Sequence, residues 1–256
     1  MSNEISVFRH LDSDTILPTE LARGPWSPEY AHGGAPAGLV AALVEQAWSE
    51  PSWMIARLSL DFLRPFPLRP LSVTMTHEAK SSSIHCLMTF SEGHTEVLRA
   101  HVLSLRREHL TIANPEEPMP TDPATLPKLV IEEMPSHQDT FYYTAMDARS
   151  EPKPGHRGWF ALQYPLLDGE PPTPAVRAAA AADFASGISF PLPFNQYLFP
   201  NVDLTIHLYR EPDGRYVGVD ANTWVGPNGV GLTRSTLRDR RGPVGAGIQT
   251  LRVRTR

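Results

Sequence analysis

Hydrophobic and polar residues alternate along several stretches of the chain, and one alternation occurs twice. Residues 57–65 read RLSLDFLRP, and residues 203–212 read DLTIHLYREP. Alternation of this kind predicts a strand that packs one face on a core and turns the other face to solvent. Arg64 and Arg210 lie at the ends of the two apolar runs, 146 residues apart (210 − 64). The spacing indicates that the chain contains one structural unit twice.

An alanine-rich segment precedes each copy of this strand. In residues 35–48 apolar side chains occupy nearly every helical face, which predicts a helix that is buried on most sides. The second segment predicts a helix over 175–186 that ends at Gly187, because glycine often follows the last helical residue.

Strands are predicted on both sides of each helix. They lie within 5–20, 55–65, 70–79, 84–92 and 95–106 in the first half, and at 141–145, 159–164, 201–210, 215–225, 229–239 and 245–254 in the second. Turn residues between many of them are typical of antiparallel hairpins. The predicted fold class is α+β: a double hotdog, in which two tandem repeats each wrap an antiparallel sheet around a long central helix. A doubly wound βαβ fold needs a helix between most strands, and each half offers one good helix.

A segment rich in proline and acidic residues separates the two halves. Such a composition predicts an extended linker on the surface. We therefore assign residues 1–106 to an N-terminal hotdog repeat, 107–137 to a proline-rich linker and 138–256 to a C-terminal hotdog repeat.

Composition argues against several classes of function. The net charge is −5, so no strong basic field draws the chain to nucleic acid. A single cysteine, Cys86, excludes an internal disulfide and a cysteine-based zinc cluster. No phosphate-binding loop or dinucleotide fingerprint occurs, and no stretch approaches the roughly 18 apolar residues of a membrane helix. The first residues do not resemble a signal peptide. We expect a cytoplasmic protein with no metal or other cofactor, no nucleic-acid partner and no membrane insertion.

An acidic residue stands in the apolar second helix. Asp183 follows the alanines of 178–182 and precedes Phe184. A buried, ionised and unpaired carboxylate costs on the order of several kcal/mol. Asp183 is therefore paired, protonated or directed into a cavity, unless it reaches solvent at the helix end. The pattern alone leaves these alternatives open.

The first helix is preceded by His32, Gly33 and Gly34. The first N–H groups of a helix have no partner within it, and the helix dipole adds partial positive charge there. Glycine also lets a ligand approach the backbone closely. The combination predicts a site for developing negative charge at Gly34, although a tight turn into a buried helix also accounts for a glycine pair.

The entrances to the two helices differ in chemistry. Residues 171–174 read PPTP, and proline has no N–H to donate. A carboxylate stands at a corresponding position in each helix, Glu45 and Asp183. In a hotdog pair the helices lie side by side across a pseudo-twofold axis. We therefore expect one competent site, where Gly34 faces Asp183, and one degenerate site near Glu45 and Thr173.

Polar residues on two later strands are candidates for holding a water molecule against Asp183. Asn201 starts one of these strands and Thr233 lies on another. Polar side chains on one face of a half-exposed sheet are ordinary, so the alternation alone assigns them no role.

At these positions the chain resembles the TesB-like family, the double hotdog acyl-CoA thioesterases of type II. The resemblance extends over nearly the whole chain and rests on residues 31–34 with their helix, 57–65, 182–184, 201–205 and 229–239. In that family an aspartate on the second helix, with a threonine and a glutamine on later strands, orients the hydrolytic water. Asp183 matches the aspartate. The threonine falls on Asn201 and the glutamine on Thr233, with Thr205 as a second candidate for the hydroxyl.

The resemblance implies that the protein hydrolyses acyl-CoA thioesters to a free acid and coenzyme A without a cofactor. Asp183 would act as general base on a water that the polar strand residues hold, and the Gly34 N–H would stabilise the oxyanion. The implied substrate-binding residues are His32, Gly33, Phe184, Ile188 and Phe190.

Two alternatives remain open. The departures at Asn201 and Thr233 favour a non-catalytic acyl-CoA or acyl-carrier binding protein on the same scaffold. A hotdog hydratase or dehydratase needs a histidine beside the aspartate, and His32 supplies one only if the fold brings it close. An exposed sheet edge is the basis for expecting a homodimer of double hotdogs.

Overall fold

The computed structural model describes residues 5–112, 117–119, 121–130, 139–151 and 156–256. The first half contains β1 (Phe8–His10), β2 (Thr15–Pro18), α1 (Gly34–Ala47), β3 (Trp53–Phe62), β4 (Leu71–Ala79), β5 (Ser83–Glu92) and β6 (Thr95–Arg106). The second half contains α2 (Phe141–Thr144), β7 (Met146–Ser150), β8 (Arg157–Leu162), α3 (Pro174–Ala182), α4 (Phe184–Ser189), β9 (Tyr197–Leu198), β10 (Asp203–Leu208), β11 (Val217–Val225), β12 (Val230–Asp239), β13 (Gly242–Arg252) and β14 (Arg254–Thr255). Short 3-10 turns occur at Glu20–Ala22 and Pro123–Thr125.

A 12-stranded sheet contains both halves of the chain, in the order β1-β2-β4-β5-β6-β3-β10-β13-β12-β11-β8-β7. Its two halves mirror each other about the central pair β3 and β10. The bounds of β4 and β11 differ by 146 at both ends (217 − 71 and 225 − 79). This symmetry confirms the predicted α+β double hotdog.

The repeated strands meet at the centre of this sheet. Ser59 of β3 stands opposite Thr205 of β10 and is separated from it by the same 146 residues (205 − 59), so the pseudo-twofold axis passes between them. The inward residues Leu58 and Ile206 also face each other and are fully buried. The alternation that marked the repeat therefore supplies the shared core.

Helices α1 and α3 run antiparallel beneath the sheet. A Cβ atom on Gly34, at the start of α1, would lie 2.5 Å from the Ala180 carbonyl oxygen near the end of α3. At the opposite ends of the helices, the Thr173 hydroxyl donates to Glu45 Oε2 at 2.5 Å. Small residues permit this close approach, which brings the entrance of each helix to the carboxylate of the other.

Two predicted elements differ from the structure. The strand predicted at 141–145 is wrong, because Phe141–Thr144 form the short helix α2 and the strand β7 follows. The buried positions Phe141, Tyr142 and Ala145 have helical spacing, and Tyr143 is exposed. The helix predicted over 175–186 is divided into α3 and α4 at Asp183, and Gly187 lies inside α4 rather than after it.

The described part of the predicted linker lies against the second half. The N–H groups of Glu117 and Met119 donate to carbonyls at Arg241 and Arg240. Residues 113–116, 120 and 131–137 of this segment lie outside the described residues. The domain boundaries at 106 and 137 remain predictions. Within the described ranges, no helix is long and apolar enough to cross a membrane.

Candidate active site

Asp183 lies between α3 and α4, beside the start of α1, and is 6% exposed. A buried carboxylate needs hydrogen-bond donors to offset the loss of water. Its Oδ1 atom accepts from Asn201 Nδ2 at 2.9 Å and from Gln249 Nε2 at 3.1 Å. Two amides, one just before β10 and one on β13, thus donate to the same carboxylate oxygen, and Oδ2 accepts from neither of them.

His32 faces the other carboxylate oxygen. Its Nδ1 atom lies 3.1 Å from Asp183 Oδ2, and its ring stacks on Phe184 with centroids 4.4 Å apart. Burial lowers the pKa of His32, and the nearby Asp183 charge opposes that shift. The imidazole is therefore neutral near pH 7.

The backbone N–H of Gly34 also points to His32 Nδ1, at 3.1 Å. A neutral Nδ1 atom either donates a proton to Asp183 or accepts one from Gly34, so the two contacts exclude each other in one tautomer. The Gly34 N–H is therefore free for an oxyanion only in the tautomer in which His32 Nδ1 carries the proton.

Gly33 offers a donor in its place. In the described part of the chain, no acceptor takes up its N–H group. A Cβ atom at this position would lie 2.8 Å from Asp183 Oδ2, so a side chain has no room there. Gly33 therefore brings an unpaired N–H close to the carboxylate.

Two cavities meet at this point. A small one of about 40 Å³ is lined by His32, Gly33, Asp183 and Asn201 among others. One water molecule occupies roughly 30 Å³ in the liquid, so the small cavity has room for about one. A larger cavity of about 490 Å³ shares Trp26, Gly33 and Asn201 with it. The arrangement provides a water-sized chamber next to a space for a larger ligand.

Thr233 does not reach Asp183, contrary to expectation. It is fully buried, and its Oγ1 atom bonds to Thr223 Oγ1 at 2.7 Å. On the neighbouring strand β13, Gln249 stands directly opposite Thr233. The resemblance placed the family's glutamine at Thr233. In the structure, Gln249 on the neighbouring strand supplies the amide that donates to Asp183.

Sequence reasoning missed Gln249, although a signal was present. Gln249 lies on the inward face of β13 with Gly247 and Leu251, and it is 1% exposed. A buried amide among apolar positions requires partners. Gln249 has two partners: its Nε2 donates to Asp183, and its Oε1 accepts from the Ser186 N–H at 3.2 Å.

Thr205 also lies away from the carboxylate. Its hydroxyl donates to Ser59 Oγ at 3.3 Å on the pseudo-twofold axis. The alternation of β10 puts Thr205 on the face opposite the buried Leu204 and Ile206, so its hydroxyl points away from the helices.

The expected acyl-binding residues are divided. Phe184 lines the small cavity and also stacks on Phe160 at 4.5 Å. Phe190 stacks behind the site on Phe199, with centroids 3.5 Å apart. Ile188 packs against the main core rather than against either cavity.

The mirrored end of the helix pair has different chemistry. Glu45 accepts the Thr173 hydroxyl, which also accepts from the Val176 N–H at 3.3 Å. Burial raises the pKa of Glu45, and the hydrogen bond from Thr173 opposes the shift. A cavity of about 620 Å³ adjoins this pair. At this end of the helix pair a threonine hydroxyl donates to the carboxylate. At the other end Gly33 lies beside the carboxylate and two amides donate to it.

Comparison with known proteins gives two family matches. The N-terminal domain of acyl-CoA thioesterases matches residues 22–104, and their C-terminal domain matches residues 114–253. No curated protein matches the chain.

Several solved structures have the same fold. A proposed thioesterase from Novosphingobium aromaticivorans is similar with a TM-score of 0.72 and 19% identity, over 96% of this chain and 98% of that one. Acyl-CoA thioesterase II TesB2 from Mycobacterium marinum gives 0.64 and 16%, over 97% and 95%. A conserved protein of unknown function with a hot dog fold from Alicyclobacillus acidocaldarius gives 0.68 and 15%, over 96% and 95%. At these identities the likeness shows the fold alone.

Proposed function

Because the chain belongs to the acyl-CoA thioesterase family, whose N- and C-terminal domains match residues 22–104 and 114–253, we propose that Asp183 is the general base with which it hydrolyses acyl-CoA. The observation that carries this proposal is that the two oxygens of the carboxylate have different hydrogen-bond partners. Asn201 and Gln249 both donate to Oδ1, Oδ2 accepts from neither of them, and Asp183 lines the water-sized cavity.

The proposed reaction begins with a water molecule in the small cavity. Asp183 Oδ2 accepts a proton from this water as its oxygen attacks the thioester carbonyl carbon. The tetrahedral intermediate then collapses, the C–S bond breaks, and the coenzyme A sulfur leaves with the proton that Asp183 returns. The products are a free acid and coenzyme A, so atoms and charges balance.

The Gly33 N–H is the proposed donor to the oxyanion. It lies at the positive end of the α1 dipole, where the loss of one such donor costs catalysis roughly 3 kcal/mol. Neutral His32 completes the arrangement in the tautomer that donates Nδ1–H to Asp183 Oδ2, which leaves the Gly34 N–H available as a second donor.

Thiol release from a chain-length series of acyl-CoAs tests the proposal. Asp183→Asn keeps the size of the side chain but removes the base, and we expect kcat/KM to fall by about 10²- to 10⁴-fold. Glu45→Gln is the matched control, since Glu45 occupies the mirrored position. Equal losses in both variants would refute the assignment of a single site. Acyl-CoA binding without thiol release in the wild type would instead identify a non-catalytic binding protein.

One observation favours a second candidate, a hydratase or dehydratase acting on the same substrates. The fold brings His32 within 3.1 Å of Asp183, which meets the condition that the sequence left open. Incubation with 2-enoyl-CoA, followed as loss of the conjugated absorbance, measures this activity separately from thiol release. Thiol release without hydration eliminates this candidate. Cytoplasmic location and homodimer formation remain predictions.

A further inference from the structure

Three arginines surround the larger cavity beside Gly33 and Asn201. Arg64, Arg252 and Arg254 all line it and all are exposed. The lining contains no aspartate or glutamate. Among the ion pairs of the described residues, none includes any of these three side chains. The cavity thus combines an apolar wall with unneutralised positive charge.

The repeat shows that this lack of partners is local. Arg210, the counterpart of Arg64, donates from Nη2 to the fully buried Asp239 at 2.8 Å. The strand register gives Glu92 as the counterpart of Asp239, because Glu92 stands opposite Thr95 as Asp239 stands opposite Gly242. Glu92 pairs with Arg69 at 3.0 Å. In the first repeat another arginine therefore takes up the corresponding carboxylate, and Arg64 does not pair with it.

The arginines that end β6 and β13, Arg106 and Arg252, also differ in their contacts. Arg106, the last residue of β6, lies over the Trp53 ring at 5.7 Å and donates to the Ser81 carbonyl. Arg252 has no such contact within the described chain. Protein groups contact the side chains of Arg106 and Arg210, whereas Arg64 and Arg252 at the cavity remain available to a ligand.

The cavity at the mirrored end of the helices has the opposite charge. Its lining includes the four glutamates Glu45, Glu50, Glu170 and Glu211. The arginine there, Arg107, pairs with Glu211 at 2.5 Å. An anionic ligand is therefore drawn to the cavity that contains Gly33 and repelled from its counterpart.

We propose that Arg64, Arg252 and Arg254 bind the phosphate groups of coenzyme A and so direct the thioester to Gly33. This inference rests on the proposed function, because it assigns the polar end of the same substrate. Guanidinium groups bind phosphate oxygens in bidentate pairs, and arginine keeps its charge at all working pH values. Because the three side chains are exposed, salt screens their attraction.

Two substrates with the same acyl group separate phosphate recognition from chemistry. Acyl-CoA carries the phosphates, and the acyl thioester of N-acetylcysteamine lacks them. For Arg252→Gln, and more strongly for the triple glutamine variant, we expect kcat/KM for acyl-CoA to fall by roughly tenfold or more through KM. The fall in kcat/KM should occur with acyl-CoA and not with the N-acetylcysteamine thioester. Added salt should raise the KM for acyl-CoA more in the wild type than in the triple variant.

Arg234→Gln is the matched control, since Arg234 is exposed on β12 outside the cavity. Equal losses for both substrates would assign the three arginines to the reacting centre and overturn the inference, while hydrolysis itself would stand. An unchanged KM for acyl-CoA, or a loss seen only with an acyl-carrier protein, also overturns it. Wild-type protein that hydrolyses neither thioester contradicts the proposed function instead.

Discussion

A single methyl group at Gly33 tests the geometry of the site most directly. The backbone of Gly33 has φ −59° and ψ −26°, a right-handed helical conformation that alanine adopts easily. Glycine is needed here for space rather than for conformational freedom. An added Cβ would lie 2.8 Å from Asp183 Oδ2, 2.9 Å from Oδ1 and 3.0 Å from Cγ. Gly33→Ala therefore pushes directly on the proposed base.

The size of the effect follows from these contacts. Relief requires the carboxylate atoms to move by about 0.5–0.7 Å, since non-bonded heavy atoms are in ordinary contact at roughly 3.5 Å. The bonds that Asn201 and Gln249 donate to Oδ1 resist this movement. A displacement of about 1 Å at a reacting group costs on the order of 10²-fold in rate, so half of that predicts roughly a tenfold loss. Overpacking of this kind also destabilises a fold by about 1–3 kcal/mol.

Kinetics and thermal unfolding of three glycine variants separate the causes. Gly187→Ala is the control for stability, because nothing lies within 4 Å of the added atom, and it should keep the wild-type unfolding temperature. Gly34→Ala should mainly destabilise the protein, since its Cβ meets the Ala180 backbone carbonyl at 2.5 Å. Wild-type kcat/KM in folded Gly33→Ala would show that the base does not lie where the reasoning requires it.

Two further predictions concern buried polar groups. Gln249→Leu should lower kcat/KM by about tenfold and stability by about 1–3 kcal/mol, because Asp183 and the Ser186 N–H both lose a partner. Thr233→Val should leave kcat/KM unchanged; thiol release measures activity and urea unfolding measures stability for both variants. A loss of activity in Thr233→Val, with none in Gln249→Leu, would restore Thr233 as the partner of Asp183. Burial alone would raise the pKa of Asp147, but hydrogen bonds from Arg149, Lys128 and Tyr216 outweigh it and lower the pKa. The folded pKa is thus below the unfolded value near ~3.9, so this stabilisation is full above that pH and declines as pH falls below it. Urea unfolding should find Asp147→Asn less stable at pH 7 with the difference shrinking below about pH 4, and a constant difference would contradict the linkage.

The repeat made the architecture predictable because it constrains two elements at once. A strand alternation repeated at 146 residues requires two equivalent strands, and an apolar helix before each must be covered by a sheet. The pairing of β3 with β10 and the antiparallel helices follow from one axis. The repeat does not predict short elements in this way. Helix α2 has only four residues, too few for their pattern of buried positions to distinguish a helix from a strand.

The partners of Asp183 were harder to predict, because they depend on strand order rather than on alternation. Thr233 and Gln249 are opposite each other on β12 and β13, and both point inward. Periodicity identifies the inward face of each strand but not the distance of that strand from the α3–α4 junction. Only the sheet order, with β13 next to β10, puts the amide of Gln249 beside Asn201.

Duplication left two helix entrances, and their local chemistry explains why we assign catalysis to one of them. At the other entrance the Thr173 hydroxyl donates to the Glu45 carboxylate, and the prolines within 171–174 have no backbone N–H to donate. At Asp183 the Gly33 N–H has no acceptor within the described residues. The amides of Gln249 on β13 and of Asn201, just before β10, restrain one carboxylate oxygen, and Asp183 lines the small cavity. The first repeat contributes the donor and the second contributes the base. Neither half alone contains both groups, so the proposed chemistry requires the two repeats to remain packed against each other.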